Sequence, residues 1–425
     1  MNILAVILNI IFWPILELWW LILFIILVPL TREAVVFWRQ EVYKRKIEWL
    51  LLELKIPREI EQTPKAMQHI LGMISNLANS PGSFKAEFVE GEVSKWYSLE
   101  IISMAGQIRY FIRMEKKVRP LVEAAIFSYY PSVEVVEAED YMLNLPSDGI
   151  DMEERNWDMW GQEIILKKPG IYPIKTYLSF DMDSEAKGFD PMSIFLELLS
   201  KLSGEEFLGI QILISPMSSK WADNFKEELD KIRGGKKGPD GEKKEKTSAE
   251  TEIQKAVERN LGLPAFETII RAIYMAPKPV FSDGFASKAV MSAFNQYGSY
   301  ESNSFSGSKR ISPRAKGWWY LPGPLSFVKE RTLHRKGHLI LRYRGREVLT
   351  RSPFGLFMSS SLFYRNKGSE SSVLTSEGIA TLFHPPTHRV LTAPHIKRVD
   401  SKKGGPPAGL AIFGTEDDIS NFMRN

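Results

Sequence analysis

From Ile3 to Leu30 the chain reads ILAVILNIIFWPILELWWLILFIILVPL, with one acidic residue, Glu17, and no basic one. A helix rises about 1.5 Å per residue, so roughly twenty apolar residues cross a bilayer. The stretch therefore reads as a membrane anchor with the rest of the chain on one side. A cleaved signal peptide has a basic start, a short apolar core and a small-residue cleavage site. Here nothing basic precedes the run, the core is too long, and no Ala-x-Ala-like site follows Pro29. Pro14 and Glu17 leave the form of the anchor open. One long tilted helix is one form. A re-entrant hairpin, or an interfacial Asn2–Phe12 with a span from Pro14 to Leu30, is the other. Glu17 is either a functional intramembrane group, or a helix–helix contact or carboxylate near the interface.

The flank gives a direction. Arg32, Arg39, Lys44, Arg45 and Lys46 follow the apolar run, and no Lys or Arg precedes it. The positive-inside rule then predicts a single pass through the inner membrane with the bulk of the chain in the cytoplasm. Phe37, Trp38 and Tyr43, set among these basic residues, suit a helix at headgroup level. The absence of cysteine excludes disulfides, thiolate metal sites and thiol catalysis, and fits a reducing compartment.

The remaining ~395 residues predict two or three domains. Ile47–Ile56 alternates as a strand and ends at Pro57; residues 58–79 read as a helix. Trp96–Met104 and Ile108–Met114 form a predicted hairpin around Ala105-Gly106-Gln107, followed by a helix over Glu115–Tyr129 and a strand over Val133–Glu139. The order β-α-β-β-α-β is that of the ferredoxin-like split unit. A second, looser pass begins with short strands Glu163–Leu166 and Ile174–Tyr177 around Pro169-Gly170. It continues with a helix Met192–Lys201, an apolar and hence central strand Phe207–Ile214, and a helix Lys220–Lys231. Gly234–Ser248 is charged, Gly-rich and predicted disordered. Helix Ala249–Leu261, strand Phe266–Ala276 and helix Phe281–Tyr297 close the pass. The expected fold is α+β: a transmembrane helix over 1–46, then tandem ferredoxin-like units over 47–145 and 160–297. A basic, β-rich tail over 298–425 would follow, with strands Leu339–Tyr343 and Gly345–Leu349 and a short helix in Leu374–Phe383 capped by Thr375 or Ser376.

Catalytic motifs do not appear. No phosphate-cradling Gly-x4-Gly-Lys-Ser/Thr follows a strand, and no Gly-x-Gly-x-x-Gly or Gly-x-Ser-x-Gly is present. His334 and His338 have metal-ligand spacing on a helix, but cations surround them and Gly337 lies between. His384 and His388 flank Pro385-Pro386 and read as surface or structural histidines. The expectation is no enzyme, no cofactor and no metal. Charge, by contrast, is concentrated. Twelve basic residues lie between Lys309 and Arg351 against only Glu330 and Glu347. Arg314, Lys316, Arg335, Lys336, Arg342, Arg344 and Arg346, with Trp318 and Trp319, form a candidate surface for nucleic acid, anionic lipid or an acidic partner.

Several stretches together carry a resemblance: IEWLLLELKIP (47–57), Trp96–Arg113, YPIKTY (172–177), DPMSIFLELLSK (190–201), QILISP (211–216), LTSEGIATLFHP (374–385) and KGGPPAGL (403–410). In this order they resemble the membrane-proximal, uncharacterised N-terminal region of type IV secretion or conjugation-type coupling ATPases, HerA-like, of candidate-phyla bacteria. In those proteins segments like the last two lead into the motor domain, whereas this sequence stops at Asn425, about where a motor would begin. The resemblance implies a non-catalytic, membrane-linked platform, a homo-oligomer or DNA contact among its options, and a separate motor ATPase as partner. No catalytic residue carries over.

Overall fold

The computed structural model describes residues 17, 19–57, 60–77, 85–180, 189–202, 204–234, 247–299, 302–317, 326–347, 357, 360 and 367–387. Helix α1, Trp19–Arg45, is long and apolar enough to cross a membrane. Its residues Leu23 to Leu30 expose their side chains all round. The expected anchor upstream of it lies outside the described residues, apart from Glu17.

Past α1 follow β1 (Trp49–Lys55), α2 (Pro64–Ser75), β2 (Tyr97–Met104), β3 (Gln107–Glu115), α3 (Arg119–Tyr129) and β4 (Glu134–Glu137). Ala105 and Gly106, both at positive φ, turn the β2–β3 hairpin, the geometry that matches strand twist. The second half holds α4 (Gly149–Glu154), β5 (Trp157–Leu166), α5 (Met192–Ser200), β6 (Phe207–Pro216), α6 (Lys226–Gly234), α7 (Ser248–Leu261), β7 (Ala265–Pro277), α8 (Asp283–Asn295) and β8 (Phe305–Gly307). Helix α9 (Val328–Gly345), β9 (Ser372–Thr375) and α10 (Ser376–Leu382) complete the described elements.

Nine strands among the described residues form one sheet, ordered β4-β1-β3-β2-β6-β7-β5-β8, with antiparallel pairings throughout. Each half sets its strands in the spatial order fourth, first, third, second. The halves join edge to edge through β2 and β6, which pair from Tyr97–Ile214 to Met104–Phe207. This removes the open edge each half would otherwise present. Strand β9 pairs with Ala265–Thr268 of β7, just beyond the stretch taken by β5.

Both sheet faces are covered, which is why β6 reads as a continuous apolar run. Leu50, Leu52 and Leu54 pack on one side under α2, α3, α5, α8 and α10. Leu51 points to the other side with Phe111, Phe207 and α9. A sealed residue such as Ile212 contributes about 1.5–3 kcal/mol through burial alone.

Two expectations are corrected. Ile174–Tyr177 is not a strand, and the strand expected at Glu163 starts at Trp157. Between Lys167 and Tyr177 the backbone is satisfied by asparagine side chains instead of a ladder. Asn303 Nδ2 donates to the carbonyls of Lys168, Pro169 and Tyr172, and Asn260 Nδ2 to those of Gly170 and Ile171. Second, Leu339–Tyr343 is not a strand: it lies inside the 18-residue helix α9. Leu339, Ile340 and Tyr343 meet the sheet at helical spacing. Gly337, which reads as a break, instead lets α9 cross α4 backbone to backbone, since a Cβ there would lie 3.0 Å from Gly149 N. The charged insertion expected at Gly234–Ser248 falls mostly outside the described residues.

Candidate interaction site

Four buried strands each carry a polar residue on the face that α9 covers, and register brings these four into one row. Glu100 of β2 sits opposite Gln211 of β6, Gln211 opposite Arg271 of β7, and Arg271 opposite Glu163 of β5. All four are buried. Gln211 Nε2 donates to Glu100 Oε1 at 3.3 Å, and Arg271 Nε to Glu163 Oε1 at 3.0 Å. A row of this kind costs free energy unless every group finds a partner.

The end of α9 supplies most of those partners, while Glu163 Oε2 has no hydrogen bond among the described residues. The last carbonyls of a helix have no intrahelical donor. Here Gln211 Nε2 donates to Tyr343 O at 2.9 Å and Arg271 Nη1 to Arg342 O at 3.0 Å. The Arg271 cation thus sits at the negative end of the α9 dipole. The next residues close the seat. Arg346 takes the left-handed conformation at φ 52°, and its N–H donates to Arg342 O. That turn drives its guanidinium inward: Nε donates to Glu100 Oε1 and Nη1 to Asp140 Oδ2, both at 2.6 Å. Tyr141 donates to Glu100 Oε2 at 2.7 Å, and Ser369 Oγ to Glu163 Oε1 at 2.6 Å. The strands make room for the helix with glycines. A Cβ on Gly209 would fall 2.1 Å from Tyr343 Oη, and one on Gly161 2.6 Å from Leu339 Cδ2.

Electrostatics follow from burial and pairing. Burial pulls the Arg346 pKa down, but Glu100, Tyr141 and Asp140 outweigh it and the net direction is up. Burial wins at Arg271, whose pKa falls despite Glu163. Burial and then Glu100 push Tyr141 well above its ordinary range. Arg113, lying over the Trp49 ring at 4.1 Å, is lowered to about 10 by burial and then by Arg346.

The sequence-predicted residues are distributed over this helix and its approach. Arg346 is interior, not surface. Lys336 pairs with Asp158 and is mostly buried, and Arg314 pairs with exposed geometry to Asp283. Arg335 Nη1 donates to Arg314 O at 2.7 Å, and Arg342 reaches Lys367 O. Arg344 is half-buried and Lys316 exposed. Trp318 and Trp319 lie outside the described residues. Lys329 and Arg310 also find Glu153 and Glu370, at 3.5 and 3.7 Å. Arg310, Arg314, Lys329, Lys336 and Arg346 thus each pair with a carboxylate of the chain.

A second polar centre locks the terminal stretch. His384, fully buried, faces Ala380 O with Nδ1 at 2.8 Å and Asp190 Oδ1 with Nε2 at 3.2 Å. Asp190 also accepts from the N–H groups of Met192 and Thr387. Burial alone would raise the Asp190 pKa, but His384 and these hydrogen bonds bring it below the ordinary 3.8. Its stabilisation is therefore complete above the ordinary value and is lost as pH falls through the lower folded value. We expect thermal stability to drop on acidification below about pH 4. Asp190→Asn should be less stable at pH 7 and show a shallower acid decline, read by tryptophan fluorescence melts. Thr375, expected as a side-chain cap, donates instead to Asn260 Oδ1 at 2.7 Å. Next to it a cleft of about 330 Å³ is lined by Lys175, Thr176, Arg259 and Glu377. Glu377 is already engaged there by Thr176 at 2.5 Å and Arg259 at 2.8 Å.

Among the described residues no group of three or more His, Asp or Glu could hold a metal ion. What the geometry defines is a sheet carrying a docked helix, reached from an apolar helix whose Leu23–Leu30 stretch the body leaves uncovered. The chain belongs to the family described as a domain of unknown function, DUF8128, which matches residues 38–309. The match covers the end of α1 through β8 and the whole polar row, while α9, β9 and α10 follow it. No curated protein matches the chain.

Proposed function

We propose that this chain is a non-catalytic platform anchored in the inner membrane by α1. Its body would lie in the cytoplasm and dock a separately encoded motor ATPase of a type IV secretion or DNA-translocation machine. The observation that carries the reading is α1 itself, an apolar helix exposed along Leu23–Leu30 that runs within three residues into the first sheet strand. The two halves, each with strand order fourth-first-third-second, support reading the body as a pair of ferredoxin-like units. Such units present wide helical layers suited to subunit contacts. Arg32, Arg39, Lys44, Arg45 and Lys46 past the apolar stretch support a cytoplasmic body. The stretch 374–385, which in the resembling proteins leads to the motor, is buried here as β9, α10 and the His384 latch. A motor docked near it would meet a firmly fixed surface.

The test is affinity purification of the full-length chain from detergent-solubilised membranes of its own cells, after brief cross-linking. The expected result is co-recovery of a ring-forming ATPase and loss of that partner without the cross-linked membrane fraction. Recovery of membrane complexes that contain no ATPase would overturn the motor-docking part.

A further inference from the structure

The turn Lys85–Glu90 has five-residue helical spacing and packs against α1. Its position along α1 is informative. From Leu23 to Leu30 the helix is exposed on every described side, and from Glu33 onward its inner face is half-buried by the body. The body therefore first touches the helix where the apolar stretch ends. At that level the Arg32 guanidinium lies 4.6 Å from the Phe88 ring centroid. Seven residues on, or about 10 Å along the axis, Arg39 donates to Val89 O. Glu92 N–H closes the turn onto Ala86 O at 2.9 Å. Gly91, at φ +69°, brings the backbone so close that a Cβ would fall 2.5 Å from the Arg39 carbonyl carbon. The turn is thus pinned beside α1 from about 3 Å to about 13 Å past Leu30, a reach that takes in the ~5–8 Å headgroup layer of that leaflet. Its outer surface mixes Val89, 46% exposed, with the charged Lys85 and Glu90, and on the neighbouring side of α1 Trp38 and Val35 are 63% and 43% exposed.

We infer that Lys85–Glu90 is a second membrane contact, seating Phe88 and Val89 in the headgroup layer of a phospholipid bilayer beside α1. This rests on the anchor reading above. Continuity with the exposed apolar face of α1 argues for lipid as the occupant. The turn carries Lys85 against Glu87 and Glu90, so apolar contact and not anionic headgroup charge drives the seating. Trp38 at the same depth fits the enrichment of tryptophan at membrane interfaces.

The chain has no cysteine, so single cysteines report cleanly. The full-length chain carrying Val89→Cys would be nitroxide-labelled and placed in phosphatidylcholine nanodiscs. Collision accessibility to oxygen and to a water-soluble nickel chelate would be compared with Ile25→Cys and Leu121→Cys. Leu121 is exposed on α3, away from α1. The expected result is an oxygen-favoured Val89, between Ile25 and Leu121, unchanged when anionic lipid is added. A Val89 indistinguishable from Leu121, with Ile25 still lipid-exposed, overturns this inference and leaves the anchor standing. A dependence on anionic lipid overturns the apolar basis. An aqueous Ile25 overturns the anchor reading itself.

Discussion

Arg346→Ala is expected to cost about 3–5 kcal/mol of folding stability, the range for removing one partner of a buried ion pair. The loss comes from what stays behind. Glu100 is fully buried and would retain Ser98, Tyr141 and Gln211 as donors but no cation in contact. Asp140 would lose both guanidinium contacts, though its partial exposure softens that loss. Arg346→Gly separates the two duties of the residue. Glycine accepts the left-handed backbone that alanine resists by roughly 1–2 kcal/mol, so it should be the milder variant while still losing the pairing. Adding Glu100→Gln to Arg346→Ala should recover part of the loss, because the uncompensated charge is gone. Denaturant unfolding of the four proteins in the same detergent reads this directly. The same variants should loosen α9 near the end of α1, where Trp96 Nε1 donates to Arg346 O and Lys44 lies 3.7 Å from Glu347.

How much of this was legible in the sequence depends on the distance between partners. The hairpin of β2 and β3 is local, and its alternation and turn residues place it within a residue or two. The apolar run of β6 announces a strand buried on both faces. The polar row is different. Glu100, Gln211, Arg271 and Glu163 are spread over more than one hundred residues, and only strand register makes them neighbours. A signal was nonetheless present: YSLEIISM, GIQILI and TIIRAIYMA each place one charged or amide residue inside an apolar strand, and QEIIL sets Glu163 beside Gln162. Buried strands rarely tolerate such residues singly, so four of them point to a shared layer. Arg346 was hidden for another reason. Charge density along 309–351 reads as surface, whereas burial depends on a backbone turn after Gly345 that composition does not encode. Asp190 and His384 stand 194 residues apart, and a Pro-Pro neighbour masks the histidine's interior position.

The second large effect concerns α1. Ile25 and Ile26 are 62% and 57% exposed and belong to the stretch that the body does not cover. An arginine at the middle of a membrane-spanning helix costs about 2.5–3.5 kcal/mol by insertion scales. Ile25→Arg with Ile26→Arg in the full-length chain should therefore abolish stable insertion. The sheet should keep its melting behaviour, since neither side chain supports it. Fractionation after an alkaline carbonate wash makes the decisive comparison. The account predicts that the natural chain stays with the membrane pellet and that the doubly substituted chain is released, folded, into the supernatant. Release of the natural chain by the same wash, or retention of the substituted one, would contradict it.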